Sequence, residues 1–254
     1  MAKFTVITAI FGNYECLRDN QYQNKDVDYL CITDNPNLKS NTWKIIVNPE
    51  QINPDWSPRK KTYYVRYHLF EFCNTPNAIW MDGSIELKDI SNILSEFDAG
   101  ILSMFYLGGY QFKEWFKLYS MFSKPYEAID YMDDEYFLLY FNKIQNLLEY
   151  MRNHNVKFED RNYHHINGRF RMFKNTSNNI KLMSDCWDLL ISDDLMKNPL
   201  NIQRGKNDNF YDIYYYDEIV FGMICRNVYL GWNYNYNEFP FVVYNHNKGT
   251  VRYE

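Results

Sequence analysis

Residues 78–87 read AIWMDGSIEL and set a single carboxylate between two apolar runs. Ile79, Trp80 and Met81 have the character of a buried strand, and Asp82-Gly83-Ser84 stops it. Two readings of that stop are open. Asp-Gly is a frequent hairpin pair, so Asp82 can simply begin a turn. A carboxylate leaving a buried strand beside two small residues can equally offer hard oxygen to a divalent cation that carries a diphosphate. Mg2+ and Mn2+ suit such a site.

The preceding chain repeats the same logic. Lys3 to Ile10 is an apolar, β-branched run closed by Phe11-Gly12-Asn13, and VDYLCITDNPN runs to Thr33 before Asp34-Asn35-Pro36 ends it. TWKIIV is a third short strand, followed by the proline-punctuated loop NPEQINPDWSP. From Pro58 the period becomes helical: Lys61, Val65, His68, Leu69 and Phe72 fall on one face, and Arg59, Tyr63 and Arg66 on another. A helix is predicted around DISNILSEF, a strand in AGILSMFY, and mainly helix over residues 110–153. INGRFRMFKN reads as a strand; NIKLMSDCWDLLIS and YYYDEIVFGMICRN read as helices separated by the polar loop NIQRGKNDNFYD. Strands alternating with helices predict an α/β chain with a mostly parallel central sheet flanked by helices. Ligands of such sheets bind beyond the carboxyl ends of the strands, where Phe11-Gly12-Asn13, Asp34 and Asp82 all fall.

Composition narrows the chemistry. The 254 residues are 46% hydrophobic and 23% charged, which suits one large α/β domain. A net charge of −5 argues against a nucleic-acid partner, since the one basic run, RKKTYYVR, is short. The 24 tyrosines supply flat faces with polar tips, suited to stacking on sugars or bases, although a biased genome also produces such a count. Five widely spaced cysteines without a Cys-x-x-Cys pair suggest a reducing compartment rather than a disulfide framework. Neither a cleavable leader nor a membrane-spanning run is evident, so a cytoplasmic location is expected, with peripheral membrane contact left open.

Other residues carry paired readings. Arg59, Lys61 and Arg66 can balance phosphate charge or form a solvated helix face. Asp217 and Glu218 open a predicted helix, where the dipole favours acids whatever the function. Facing a cleft, either can serve as general base. His246 can ligate metal or phosphate, or belong to a solvated tail, and Lys248 beside it can meet phosphate. His68 reads as a core histidine, and His164-His165 has no metal-ligand spacing.

Taken together, VITAIFGNYECLRD, VDYLCITDNPNLKSNTWKIIV, KKTYYVRYHLFEF, AIWMDGSIEL and YYDEIVFGMI resemble the glycosyltransferase-like domains that include the DUF616 group. The resemblance covers the first ninety or so residues and, more loosely, the helices after residue 180; residues from about 105 to 165 do not match. It implies a GT-A nucleotide-diphospho-sugar transferase fold in a single domain, 1–254. Residues 1–105 would form a Rossmann-like, nucleotide-sugar-binding half, and 106–254 the acceptor side. Ile10, Phe11, Gly12 and Tyr14 match the loop that meets the nucleotide base, and Asp34 a Thr-Asp on the same side. Lys61 and His68 match an arginine and a histidine of the helix before the metal strand. Asp82 matches the acid of an Asp-x-Asp-like motif whose second aspartate is Ser84 here, so a metal set of Asp82, Ser84 and His246 is implied. Asp217 and Glu218 match an Asp-Gln pair near the reacting carbon.

The implied activity is metal-assisted hexosyl or pentosyl transfer from a UDP- or GDP-sugar to a glycan or other acceptor hydroxyl, as in polysaccharide biosynthesis. Retention or inversion is left open. Lys61 in place of arginine loses bidentate phosphate geometry, and Glu218 in place of glutamine adds a charge. The alternative is a catalytically degenerate relative that binds a glycan or partner without chemistry.

Overall fold

β1 (Phe4–Ile10) is buried at every position, as its unbroken apolar and threonine run requires of a central parallel strand. The computed structural model describes residues 2–20, 22–99, 104–111, 164–191 and 241–243. After β1 come β2 (Val27–Thr33), β3 (Lys44–Val47), α1 (Pro58–Tyr67), β4 (Asn77–Met81), β5 (Ile85–Leu87) and α2 (Ser91–Ala99). β6 (Met104–Gln111), β7 (His164–Lys174), α3 (Ser177–Ile191) and β8 (Phe241–Val243) complete the described elements.

The main sheet has the order β3-β2-β1-β4-β7-β6, and β5 pairs with β8 in a separate two-stranded sheet. β3, β2, β1 and β4 run parallel, with Phe4 opposite both Val27 and Asn77. β7 then enters antiparallel to β4, Met81 facing Phe170, and β6 pairs antiparallel to β7. The chain is thus α/β with a mostly parallel central sheet flanked by helices, as predicted, with an antiparallel edge that the sequence pattern did not announce. The strand expected in AGILSMFY is described from residue 104 and continues to 111, so residues 110–111, expected as helix, belong to β6; the rest of the helix expected over 110–153 and the one around Asp217 lie outside the described residues.

Period-two alternation sorts the side chains onto two faces. Ile7 and Ala9 of β1, and Phe11 just after it, join Ala78 and Trp80 of β4 on the face covered by α1 and α3, with Val65, Met183 and Trp187. Phe4, Val6, Ile10, Ile79 and Met81 face the other way, against Ile93, Leu94 and Phe97 of α2. Full burial of one such side chain contributes about 1.5–3 kcal/mol, so both faces are needed to hold the sheet. No helix among the described residues is long and apolar enough to cross a membrane.

Candidate functional site

The turn after β1 builds the first wall. Phe11 O accepts from the Tyr14 N–H at 3.4 Å, and the two residues between, Gly12 (φ 64°) and Asn13 (φ 52°), are both left-handed. Gly-Asn tolerates that geometry, which β-branched residues resist. A side chain at Gly12 would also place its Cβ 2.8 Å from Pro58 Cγ, so glycine lets the start of α1 close on this loop. The Gly12 N–H donates to both Asp34 oxygens, at 3.0 and 3.2 Å, and Asn35 Nδ2 donates to Asn13 Oδ1 at 3.2 Å. Asp34 thereby ties the carboxyl end of β2 to that of β1. Tyr14 is 72% exposed at the rim, an unusual position for so large a ring.

β4 supplies the second wall. Asp82 continues the alternation of Ala78 and Trp80 and therefore falls on the face that α1 covers. Its N–H donates to Arg169 O at 2.9 Å, its carbonyl accepts from the Ile85 N–H at 3.0 Å, and the Trp80 indole donates to Gly168 O at 2.9 Å. The strand end is held by β7 on one side and by a tight turn on the other. An added Cβ at Gly83 would stand 3.4 Å from Ile10 and Glu15, an ordinary van der Waals distance, so the β1 loop packs beside this turn.

α1 lies across both walls. Its first turn is capped by Ser57, whose side chain accepts from the Lys60 N–H, and Pro58 occupies the position where no amide donor is required. Arg66 donates to Asp82 Oδ1 at 2.8 Å; the two side chains are 8% and 23% exposed. The guanidinium carbon stands 4.8 Å from the centre of the Trp80 ring and 5.2 Å from that of Tyr63, in cation–π range of both. Lys61 is buried, with Nζ 5.9 Å from the Phe11 ring centre, and Arg59 donates to the Tyr63 hydroxyl at 3.1 and 3.2 Å. Lys61 and Arg66 are therefore buried against the sheet face, while Arg59 and Lys60 are half-exposed.

His68 takes the core role. It caps α1, its ring Nδ1 lies 2.9 Å from Tyr64 O, and the ring stacks on Tyr64 with centroids 4.1 Å apart. Trp56 and Trp187 close the same aromatic cluster, with Lys60 Nζ 4.6 Å above the Trp56 ring. Burial, and then the hydrogen bond to Glu71, pushes the Tyr64 hydroxyl well above its ordinary pKa.

The implied metal set can be tested on these groups. Asp82 meets a guanidinium, the Ser84 hydroxyl is buried with no hydrogen-bond partner, and no three His, Cys, Asp or Glu side chains cluster for a metal among the described residues. His246 lies outside those residues, as do Lys248, Asp217 and Glu218. A carboxylate whose oxygen is already paired with arginine is a poor fit for a divalent cation. The structure thus brings together Ile10, Phe11, Gly12, Tyr14, Asp34, Arg59, Lys61, Arg66 and Asp82, with Ser84 beneath the turn. Sequence reasoning passed over Glu15 and the Gly168-Arg169 main chain. The one available signal was the glycine of INGRFRMF in an otherwise continuous strand.

No family model matches the chain, and no curated protein matches its sequence. Solved structures to which the chain is similar include the apo form of mouse xyloside xylosyltransferase 1, at 9% identity and a TM-score of 0.41, over 89% of this chain and 82% of that one. The galactosyltransferase LgtC, solved with donor and acceptor sugar analogues, has 9% identity and a TM-score of 0.40 over 87% and 70%. TarS 1–349 of S. aureus, solved with UDP-GlcNAc, has 10% identity and a TM-score of 0.28 over 42% and 34%.

Proposed function

We propose that the chain is a glycosyltransferase that moves a sugar from a nucleoside-diphospho-sugar to an acceptor hydroxyl. The observation that carries this reading is the meeting of three strand ends: Gly12 bonded to Asp34, and Gly83 packed on Ile10 and Glu15. These contacts bring the carboxyl ends of β1, β2 and β4 to one place, where parallel sheets bind ligands. Tyr14 offers an exposed ring for a base to stack on. Lys61 and Arg66 supply positive charge beneath it for a diphosphate.

In the transfer, the bond from the anomeric carbon to the diphosphate oxygen breaks and its electron pair leaves with the phosphate. The acceptor oxygen bonds to that carbon, and its proton passes to a base. Asp217 or Glu218 takes the proton in an inverting reaction, and that role is carried from the family resemblance alone. The transition state has oxocarbenium character, so cations facing the departing phosphate lower the barrier. Cys31 and Cys73 are buried thiols outside any disulfide, which suits a reducing, cytoplasmic setting.

A panel of UDP- and GDP-sugars tests the reading, with binding read as a rise in melting midpoint and turnover as released nucleoside diphosphate. If no member raises the midpoint or is consumed, the proposal fails. Ser84 in place of a second carboxylate motivates a second reading, a degenerate relative that holds a glycan without chemistry. Glycan binding by calorimetry in the absence of nucleotide affinity would select it.

A further inference from the structure

We propose that Arg66, oriented by Asp82, takes toward the donor's diphosphate the part that a divalent cation was expected to play. The inference rests on the nucleotide-sugar reading above and changes what Asp82 is for. In a metal site Asp82 would present its oxygens to an ion. Here one of them accepts from a guanidinium at 2.8 Å. That guanidinium is fixed on three sides, by Asp82, by the Trp80 ring at 4.8 Å and by the Tyr63 ring at 5.2 Å. Such a clamp costs entropy that only a defined orientation justifies.

The remaining observations point the same way. Ser84 stands where a second carboxylate would in an Asp-x-Asp motif and supplies no charge; it is 1% exposed, and its hydroxyl has no hydrogen-bond partner among the described residues. Gly83 lies against Ile10 and Glu15, whose atoms an added Cβ would meet at 3.4 Å. What faces the loop instead is cationic protein: Arg66 beside Asp82, and Lys61 against Phe11. A guanidinium is planar, always charged and offers paired donors, which match phosphate oxygens in a way a single ammonium does not. Asp82 serves it as counter-ion and keeps the buried charge stable before the donor arrives. As the bond to the anomeric carbon breaks, the electron pair stays on the phosphate oxygen, and the guanidinium stabilises that charge by hydrogen bonds without accepting or donating a proton.

Calorimetric titration of UDP and GDP into the wild-type protein, once with EDTA and once with Mn2+, tests the inference without altering a buried residue. The expected result is an affinity for at least one nucleotide that agrees within about threefold between the two buffers, where a bridging metal would add tenfold or more. Arg66→Lys keeps the charge but loses the paired donors, and is expected to weaken binding in EDTA about tenfold. Nucleotide binding that occurs only with Mn2+ overturns the role of Arg66 and leaves glycosyl transfer standing. Wild-type affinity in Arg66→Lys in EDTA also overturns it. If neither nucleotide binds in either buffer, the glycosyl-transfer reading fails and this one falls with it.

Discussion

Replacing Asp82 by asparagine separates a counter-ion from a metal ligand in a protein kept free of metal. A carboxylate awaiting a cation is an uncompensated charge, and removing it leaves stability unchanged or raises it. A counter-ion to Arg66 behaves oppositely. Arg66 is 8% exposed and Asp82 23%, and they meet at 2.8 Å. Breaking a fully buried pair costs about 3–5 kcal/mol. Asp82 still touches water, which compensates part of that loss, so about 2–3 kcal/mol is expected for Asp82→Asn. With a urea slope of about 2 kcal/mol per molar, the midpoint falls by about 1–1.5 M. Urea unfolding in EDTA, followed by fluorescence and by circular dichroism, reads this directly, provided the two probes coincide. The double variant Arg66→Met, Asp82→Leu removes both charges and keeps an apolar chain between Tyr63 and Trp80. It should recover much of the loss and give a strongly non-additive cycle. An Asp82→Asn midpoint equal to or above that of the wild type would refute the counter-ion reasoning.

Other outcomes are expected from the same geometry. Gly12→Ala combines a left-handed φ with a 2.8 Å approach to Pro58, and should destabilise by about 2–4 kcal/mol in the same urea assay. Gly83→Ala, whose new contacts are at 3.4 Å, should cost less than half as much, and equal losses would contradict the packing described. Tyr14→Ala leaves the urea midpoint within about 0.5 kcal/mol of wild type, as expected of an exposed side chain, while weakening nucleotide binding about tenfold by calorimetry. Cys31 is buried, and desolvation pushes its thiol from 9.0 up to about 12. A raised folded pKa favours the native state below pH 9 and loses that contribution as pH rises toward 12. Peptide mapping after iodoacetamide at pH 9 should find Cys31 unmodified in native protein and modified in urea.

Much of the architecture was written in short-range pattern. The runs through Ile10, Thr33 and Met81 are continuous and apolar because both faces of these strands are covered, and Gly12-Asn13, Asp34 and Asp82-Gly83 end them because those residues accept turns. Ser57-Pro58 placed the start of α1 for the same local reason. Even the side of the sheet on which Asp82 falls follows from its even spacing from Ala78 and Trp80.

Pairing across the sheet was decided only in three dimensions. β7 joins β4 across about ninety residues of chain, and nothing in INGRFRMFKN marks its partner or direction, because strand propensity carries neither. The same holds for charge. Arg66 on a helix of net positive charge looks solvated in sequence, since a run of basic residues normally is. Its burial depends on Trp80 and Tyr63 supplying ring faces and on Asp82 supplying a carboxylate sixteen positions later. The acid read as a metal ligand in one dimension is paired with Arg66 once the chain is folded. The sequence alone determined where the strands end, because strand ends are local events; the tertiary structure decided what Asp82 touches there, because the desolvation of a charge is settled by neighbours that only packing brings together.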